Sequence, residues 1–200
     1  MTRRTILALL FLCAVVEANW NIQFGTGAVH NFSTNLEFGN STIDADYETR
    51  PFQTPLYYSV LTGISNWKVE LIHQKIFLKN PTGELQSFGI SHGYNLLLFN
   101  YETSFNDWVV GGGAGVVIVH PEVGFADHFY EPGYLLTGPA FQIYIQRKFF
   151  LSNSFYLSAE SKFTGGRAHF SVASMPVSAP NFALHALFGA GWEFGRTKHL

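Results

Sequence analysis

Two serine–histidine pairs stand out as candidate chemistry. Ser91 and His92 are adjacent in SFGISHGYNLLLF, and His169 and Ser171 stand two apart in GGRAHFSVAS. A serine hydroxyl within reach of an imidazole can be activated as a nucleophile, so either pair is a candidate dyad. A second group, His120, Glu122, Asp127, His128 and Glu131, falls within HPEVGFADHFYEPGY. Imidazoles and carboxylates at one place can bind a divalent metal or move protons. A third set, Lys68, Glu70, Lys148, Glu160, Lys162 and Glu193, consists of charges scattered through apolar segments. The glycines at 111–113 and 115 resemble a phosphate-cradling loop only superficially, because they lie within a strand-like run.

What any of these residues can do depends on the elements that hold them. The chain of 200 residues suits one domain. It is 47% apolar and only 13% charged, too few charges to cover a soluble surface comfortably. No apolar run beyond the N-terminus approaches the ~20 residues of a spanning helix. The start reads as a secretory signal peptide over 1–18. Arg3 and Arg4 give a positive end, Ile6 to Val16 an apolar core, and Val16-Glu17-Ala18 a cleavage point before Asn19. The only cysteine, Cys13, lies inside that segment, so the mature chain at 19–200 would form no disulfide. It would carry 10 basic and 13 acidic residues without a basic patch, which argues against nucleic acid as a partner.

Period-two alternation recurs along the mature chain and marks strands. Phe182, Leu184, Ala186, Phe188, Ala190, Trp192 and Phe194 alternate with Ala183, His185, Leu187, Gly189, Gly191 and Glu193. The same pattern sets Phe141, Ile143 and Ile145 against Gln142, Tyr144 and Gln146, and Leu157 and Phe163 against Glu160 and Lys162. Eight strands are expected at 20–32, 55–63, 67–79, 88–101, 109–120, 133–149, 155–170 and 182–194. Longer links at 33–54, 80–87, 121–132 and 171–181 alternate with tight turns at 63–66, 103–107 and 151–154. Trp20, Trp67, Phe99, Tyr101, Trp108, Phe149, Phe150, Phe155, Trp192 and Phe194 collect at the end that bears the tight turns. An even strand number, unequal loops and a one-sided aromatic girdle define an all-β, eight-stranded antiparallel up-and-down transmembrane β-barrel. The termini would lie periplasmic and the long links would face outward.

That frame gives each candidate a place. The lumen of so small a barrel is filled by side chains, so no channel is expected. Glu70, Glu160, Lys162 and Glu193 would form an inward hydrogen-bonded network, since a lone buried charge is costly. His92, His120, Glu122 and His185 would cluster at the outward rim, with His30, His128 and His169 nearby and His73 deeper. No pair among them shows a strong metal spacing, so neither a metal nor another cofactor is expected. Ser91 and His92, as strand neighbours, should point to opposite faces and form no dyad without a bulge. His169 and Ser171 should share the lipid-facing side.

Over 19–194 the pattern resembles the small eight-stranded outer-membrane proteins of the OmpA/OmpX size class. That resemblance implies a monomer in the outer membrane of a Gram-negative bacterium, exported through its cleaved signal peptide. Its partners would be outer-membrane lipids, lipopolysaccharide and the barrel assembly machinery, the last reading Phe194 as a terminal aromatic signal. More locally, His169-Phe170-Ser171 resembles the His-x-Ser element of lipid A 3-O-deacylases, which are barrels of the same strand number. The resemblance implies Ser171 as nucleophile and His169 as base. Val172 stands where that family has Asn, and no acidic residue occurs between 171 and 192. Three functions follow as expectations: a structural or loop-mediated ligand-contact role, acyl-ester hydrolysis of lipid A or phospholipid in the outer leaflet, and adhesion or reception.

Overall fold

The computed structural model describes residues 19–54 and 56–195. The expected signal peptide at 1–18 and the residues after 195 lie outside that range. Among the described residues thirteen strands follow one another: β1 (Trp20–Phe32), β2 (Thr34–Phe38), β3 (Ser41–Ala45), β4 (Tyr47–Glu48), β5 (Tyr58–Ile64), β6 (Trp67–Leu78), β7 (Leu85–Phe105), β8 (Trp108–Val119), β9 (Glu122–Phe125), β10 (His128–Tyr130), β11 (Leu135–Phe150), β12 (Phe155–Val172) and β13 (Met175–Phe194). Eight of them, β1, β5, β6, β7, β8, β11, β12 and β13, pair antiparallel each with the next. The ring closes where β13 returns to β1, in register from Trp20↔Phe194 to Phe32↔Phe182. A closed ring leaves the barrel no free edge. The expected fold class is the observed one.

Alternation decides which side chains enter the lumen. On β13, Phe182, Leu184, Phe188 and Trp192 face outward, whereas Ala183, His185 and Leu187 are buried. On β11 and β12 the outward Phe141, Ile143, Ile145 and Leu157 oppose the buried Gln142, Tyr144, Gln146, Glu160 and Lys162. So much exposed apolar surface around one molecule calls for hydrocarbon rather than water. Rings mark its lower border: Trp20 stacks on Phe194 at 5.0 Å, Trp67 on Phe99 at 5.1 Å, and Phe155 meets Trp192 at 5.0 Å. Gly111 of β8 makes room for a bulky side chain of the neighbouring β11. A side chain at Gly111 would overlap the inward Tyr144 ring.

The lumen holds two kinds of filling. Toward the tight-turn end it is polar. Lys162 contacts Glu70 directly and reaches Glu160 at 2.9 Å. Gln142 donates to Glu70 at 2.6 Å and to Asn100 at 2.8 Å. Gln146 links Glu160 to Gln23 at 2.8 and 2.9 Å. Glu70, Glu160 and Lys162 thus lie in one hydrogen-bonded network. Glu193 belongs to a lower layer, where it pairs with Lys148 at 3.0 Å near the Lys68–Glu102 pair at 3.3 Å.

Toward the opposite end the filling is apolar, and here two expected loops prove structured. Within 33–54 and 121–132 lie the five short strands β2, β3, β4, β9 and β10. The β2–β3 hairpin docks on β13 through Glu37↔Ser178 and Phe38↔Val177, β4 docks on β6, and β9 docks on β7. Leu36, Phe38, Tyr47 and Val123 of these strands are buried in one cluster with Phe88 of β7 and Phe170 of β12. The third difference concerns 171–181, which is no loop. β12 and β13 continue in register to the pair Val172↔Met175 and turn through Ala173 and Ser174. Both turn residues are left-handed, with φ of 48° and 67°. This is the mirror-type turn that matches strand twist in a two-residue hairpin. A packed cap thus closes the end opposite the tight turns over the polar lumen.

Candidate functional site

The rim at the cap end carries a polar cluster where the pairing of β7 breaks. Along the β6–β7 ladder, Gln74 faces Tyr94 but Ile76 already faces Ile90. β7 therefore carries extra residues over Ser91–Gly93, and the strand bulges there. Gly93 takes a φ of 114°, a conformation that L side chains rarely adopt. On the other side, the β7–β8 ladder stops at Tyr94↔Val119 and pairing with β9 begins at Gly89↔Glu122. His120 and Pro121 fill that gap. Proline has no N–H to continue a ladder, so a corner forms here.

The bulge corrects the expectation from strict alternation. Ser91 and His92 do not point to opposite faces. Ser91 Oγ lies 3.0 Å from His92 Nδ1 and also contacts the Glu122 carboxylate. His92 Nδ1 lies 2.8 Å from Glu122 Oε1. His120 Nδ1 stands 3.8 Å from that same oxygen, while its Nε2 faces Glu131 Oε1 at 3.5 Å. The His92 and His120 rings lie 4.7 Å apart edge-on, and Tyr134 covers His120 at 5.0 Å. Tyr134 also donates its hydroxyl to the His92 carbonyl at 3.3 Å. His92, His120 and Glu122 of the expected rim cluster are thus brought together, joined by Ser91, Glu131 and Tyr134.

This is not the geometry of a proton relay. In such a relay the two nitrogens of one imidazole serve two partners, the nucleophile and the acid. Here Ser91 and Glu122 both meet His92 through Nδ1. The arrangement is convergent, with several lone-pair donors aimed at one small volume.

His185, the fourth residue expected at the rim, is elsewhere. It is fully buried in the lumen, with Nδ1 2.8 Å from the Tyr57 hydroxyl and Nε2 2.8 Å from Thr164 Oγ1. Its inward place follows from the alternation of β13, and both its nitrogens are engaged, so it is part of the packing. His73 points outward beneath Tyr58, stacked at 5.0 Å, with Nδ1 2.7 Å from Asn95 Oδ1. Tyr58, His73, Asn95, His92, Ile118 and Tyr134 line a groove of about 390 Å³ on the barrel wall directly below the cluster.

His169 and Ser171 do share an exposed face of β12. They are paired to Ser178 and Pro176 of β13, in the hairpin that rises above the apolar band. Among the described residues no hydrogen bond joins the two side chains. Glu122 and Glu131 are occupied with the cluster at β7 and β8, and Asp127 accepts from Gln86 at 3.1 Å. Next to this hairpin lies a cleft of about 700 Å³, between β2–β3 and the wall formed by β11, β12 and β13. Phe141 and Phe182 lie along it, and at its lip Arg167 pairs with Glu37 through two contacts of 3.1 Å.

No protein-family model matches the chain, and no curated protein matches it in sequence. Solved structures do match in fold. Neisserial surface protein A aligns with a TM-score of 0.51 at 8% identity, covering 88% of this chain and 97% of its own. The outer-membrane protein AlkL in lipid bilayers aligns at 0.46 with 16% identity, over 92% of this chain and 93% of its own. OprG from Pseudomonas aeruginosa aligns at 0.44 with 12% identity, over 90% and 97%. The class that the fold defines is the small eight-stranded outer-membrane β-barrel. At these identities the likeness is one of fold.

Proposed function

We propose that this chain is a non-conducting barrel of the bacterial outer membrane that works at its outward end, contacting outer-leaflet lipid or lipopolysaccharide through the rim and cap. One observation carries the reading: the lumen is filled along its length, by the Lys162 network below and the cap cluster above. A barrel so filled offers no path for solutes. What remains for function is the outer rim, where two clefts open beside aromatic wall residues and polar cap groups. The larger cleft suits an amphiphile, with Phe141 and Phe182 against an acyl chain and Arg167 near the level of a headgroup.

A second reading keeps the hydrolase. His169 and Ser171 on one exposed face at the outward end of β12 favour it, and an outer-leaflet ester would be the substrate. Mass spectrometry of lipid A and phospholipids from cells producing the wild type, Ser171→Ala or Ser91→Ala separates the two readings. Lipid contact without hydrolysis predicts identical lipids in all three. Loss of one acyl chain with the wild type, abolished by one substitution, would replace the contact role by catalysis and name the nucleophile. An adhesin reading makes a different claim, that trimming 33–54 removes attachment to a surface while the composition of the cell's lipids stays unchanged.

A further inference from the structure

We propose that His92, His120 and Glu122 form a binding site for a divalent transition-metal ion, with zinc the best fit, at the outward rim. The proposal stands on side-chain geometry and holds whether or not the rim contacts lipid. Two imidazole nitrogens and a carboxylate oxygen are ligands suited to zinc rather than to calcium or magnesium, which favour all-oxygen sets. The relevant atoms are close: one ligand atom from each of His92, His120, Glu122 and Glu131 lies within 4.8 Å of every other. Bonds of about 2.05 Å in a tetrahedron place ligand atoms about 3.4 Å apart. The observed His92–Glu122 and His120–Glu122 separations of 2.8 and 3.8 Å bracket that value.

An independent observation points to a cation. His120 is 9% exposed, and its Nδ1 has no hydrogen-bond partner among the described residues. Its Nε2 faces the Glu131 carboxylate, which favours a proton on Nε2 and leaves a lone pair on Nδ1. That lone pair looks across 3.8 Å at a carboxylate oxygen, so two acceptors face each other with no proton between them. A buried polar atom without a partner is costly, and a metal ion at this point satisfies both acceptors at once. Glu131 then acts as the outer carboxylate that orients a ligating histidine. His92 and Glu131 keep about half of their side-chain surface exposed, at 53% and 48%, so an ion can arrive from the outward solvent.

The test is titration of the purified, tag-free barrel in detergent with Zn2+ by calorimetry, repeated with Co2+ to read ligand-field absorbance. The wild type should bind one ion saturably, and Co2+ should give visible bands. The double variant H92A/H120A should lose at least 100-fold in affinity, and Glu122→Gln, which keeps the size of the side chain, should lose both binding and bands. Glu131→Gln should weaken binding by about 10- to 100-fold without abolishing it. His169→Ala, outside the site, should leave the isotherm unchanged. Heat-modifiable migration establishes that each variant is folded. No saturable binding by the wild type, or equal binding by folded Glu122→Gln, would overturn the proposal.

Discussion

Lys162 sits in the barrel interior between Glu70 and Glu160, wholly shielded from solvent. Removing one partner of a buried ionic group costs about 3–5 kcal/mol, because the remaining charges lose their counter-ion. Lys162→Met should therefore lower the stability of the barrel by about that amount, measured as the urea midpoint in lipid or detergent. Adding Glu70→Gln and Glu160→Gln should restore most of it, since the buried charge is then gone. An unchanged midpoint in the single variant would remove the network from any account of stability. The inward place of these residues was readable from period-two alternation alone, since Leu157 and Phe163 fix the outward parity of β12. Ser91 and His92 were not readable that way. Their shared face depends on a bulge, and a bulge changes the parity on which the reading rests.

Among the elements, the bulge of β7 and the cap make the sharpest claims. A side chain at Gly93 would need a rare backbone conformation and would run into His73 and Asn95. Gly93→Ala should thus disorganise the His92–Glu122 contact and cost about 1–3 kcal/mol. A fall in Zn2+ affinity together with the unfolding midpoint checks this, and wild-type values for both would contradict it. At the other side of the cap, Ala173 and Ser174 hold left-handed φ values without the residues that favour them. Ala173→Asn with Ser174→Gly should stabilise the hairpin by about 1–2 kcal/mol, seen as slower proteolysis at this tip. Such a turn could not be read in advance, because the sequence offers Ala-Ser where a hairpin signal would be Asn-Gly. The strands of the cap were hidden for another reason. β2 has five residues and pairs with β13, more than a hundred positions away, so no local periodicity announces it. Gly93 and Pro121 were the available hints, since a glycine inside a strand and a proline at its end both mark a break in the ladder.

At the scale of the whole molecule, the closed ring of eight strands and its apolar outer wall account for the composition that first set the chain apart. The charged side chains that a soluble protein would spread over its surface are few, and several of them lie inside. Folded and boiled samples should migrate differently on a gel, as a barrel held by continuous pairing resists detergent until heated. Reconstituted in planar bilayers, the protein should give no stepwise conductance, because the lumen is packed at both levels. In the orientation we propose, the cap faces outward and the tight turns face the periplasm across the membrane. Cys13 is the one cysteine of the sequence, so in a Cys13→Ser background single thiols report position without interference. Thr42→Cys in the β2–β3 hairpin and Asn153→Cys in the turn before β12 are both on exposed residues. On intact cells, a membrane-impermeant maleimide should label the thiol at 42 at once and the thiol at 153 only after lysis. Labelling of both before lysis, or of 153 alone, would contradict the account.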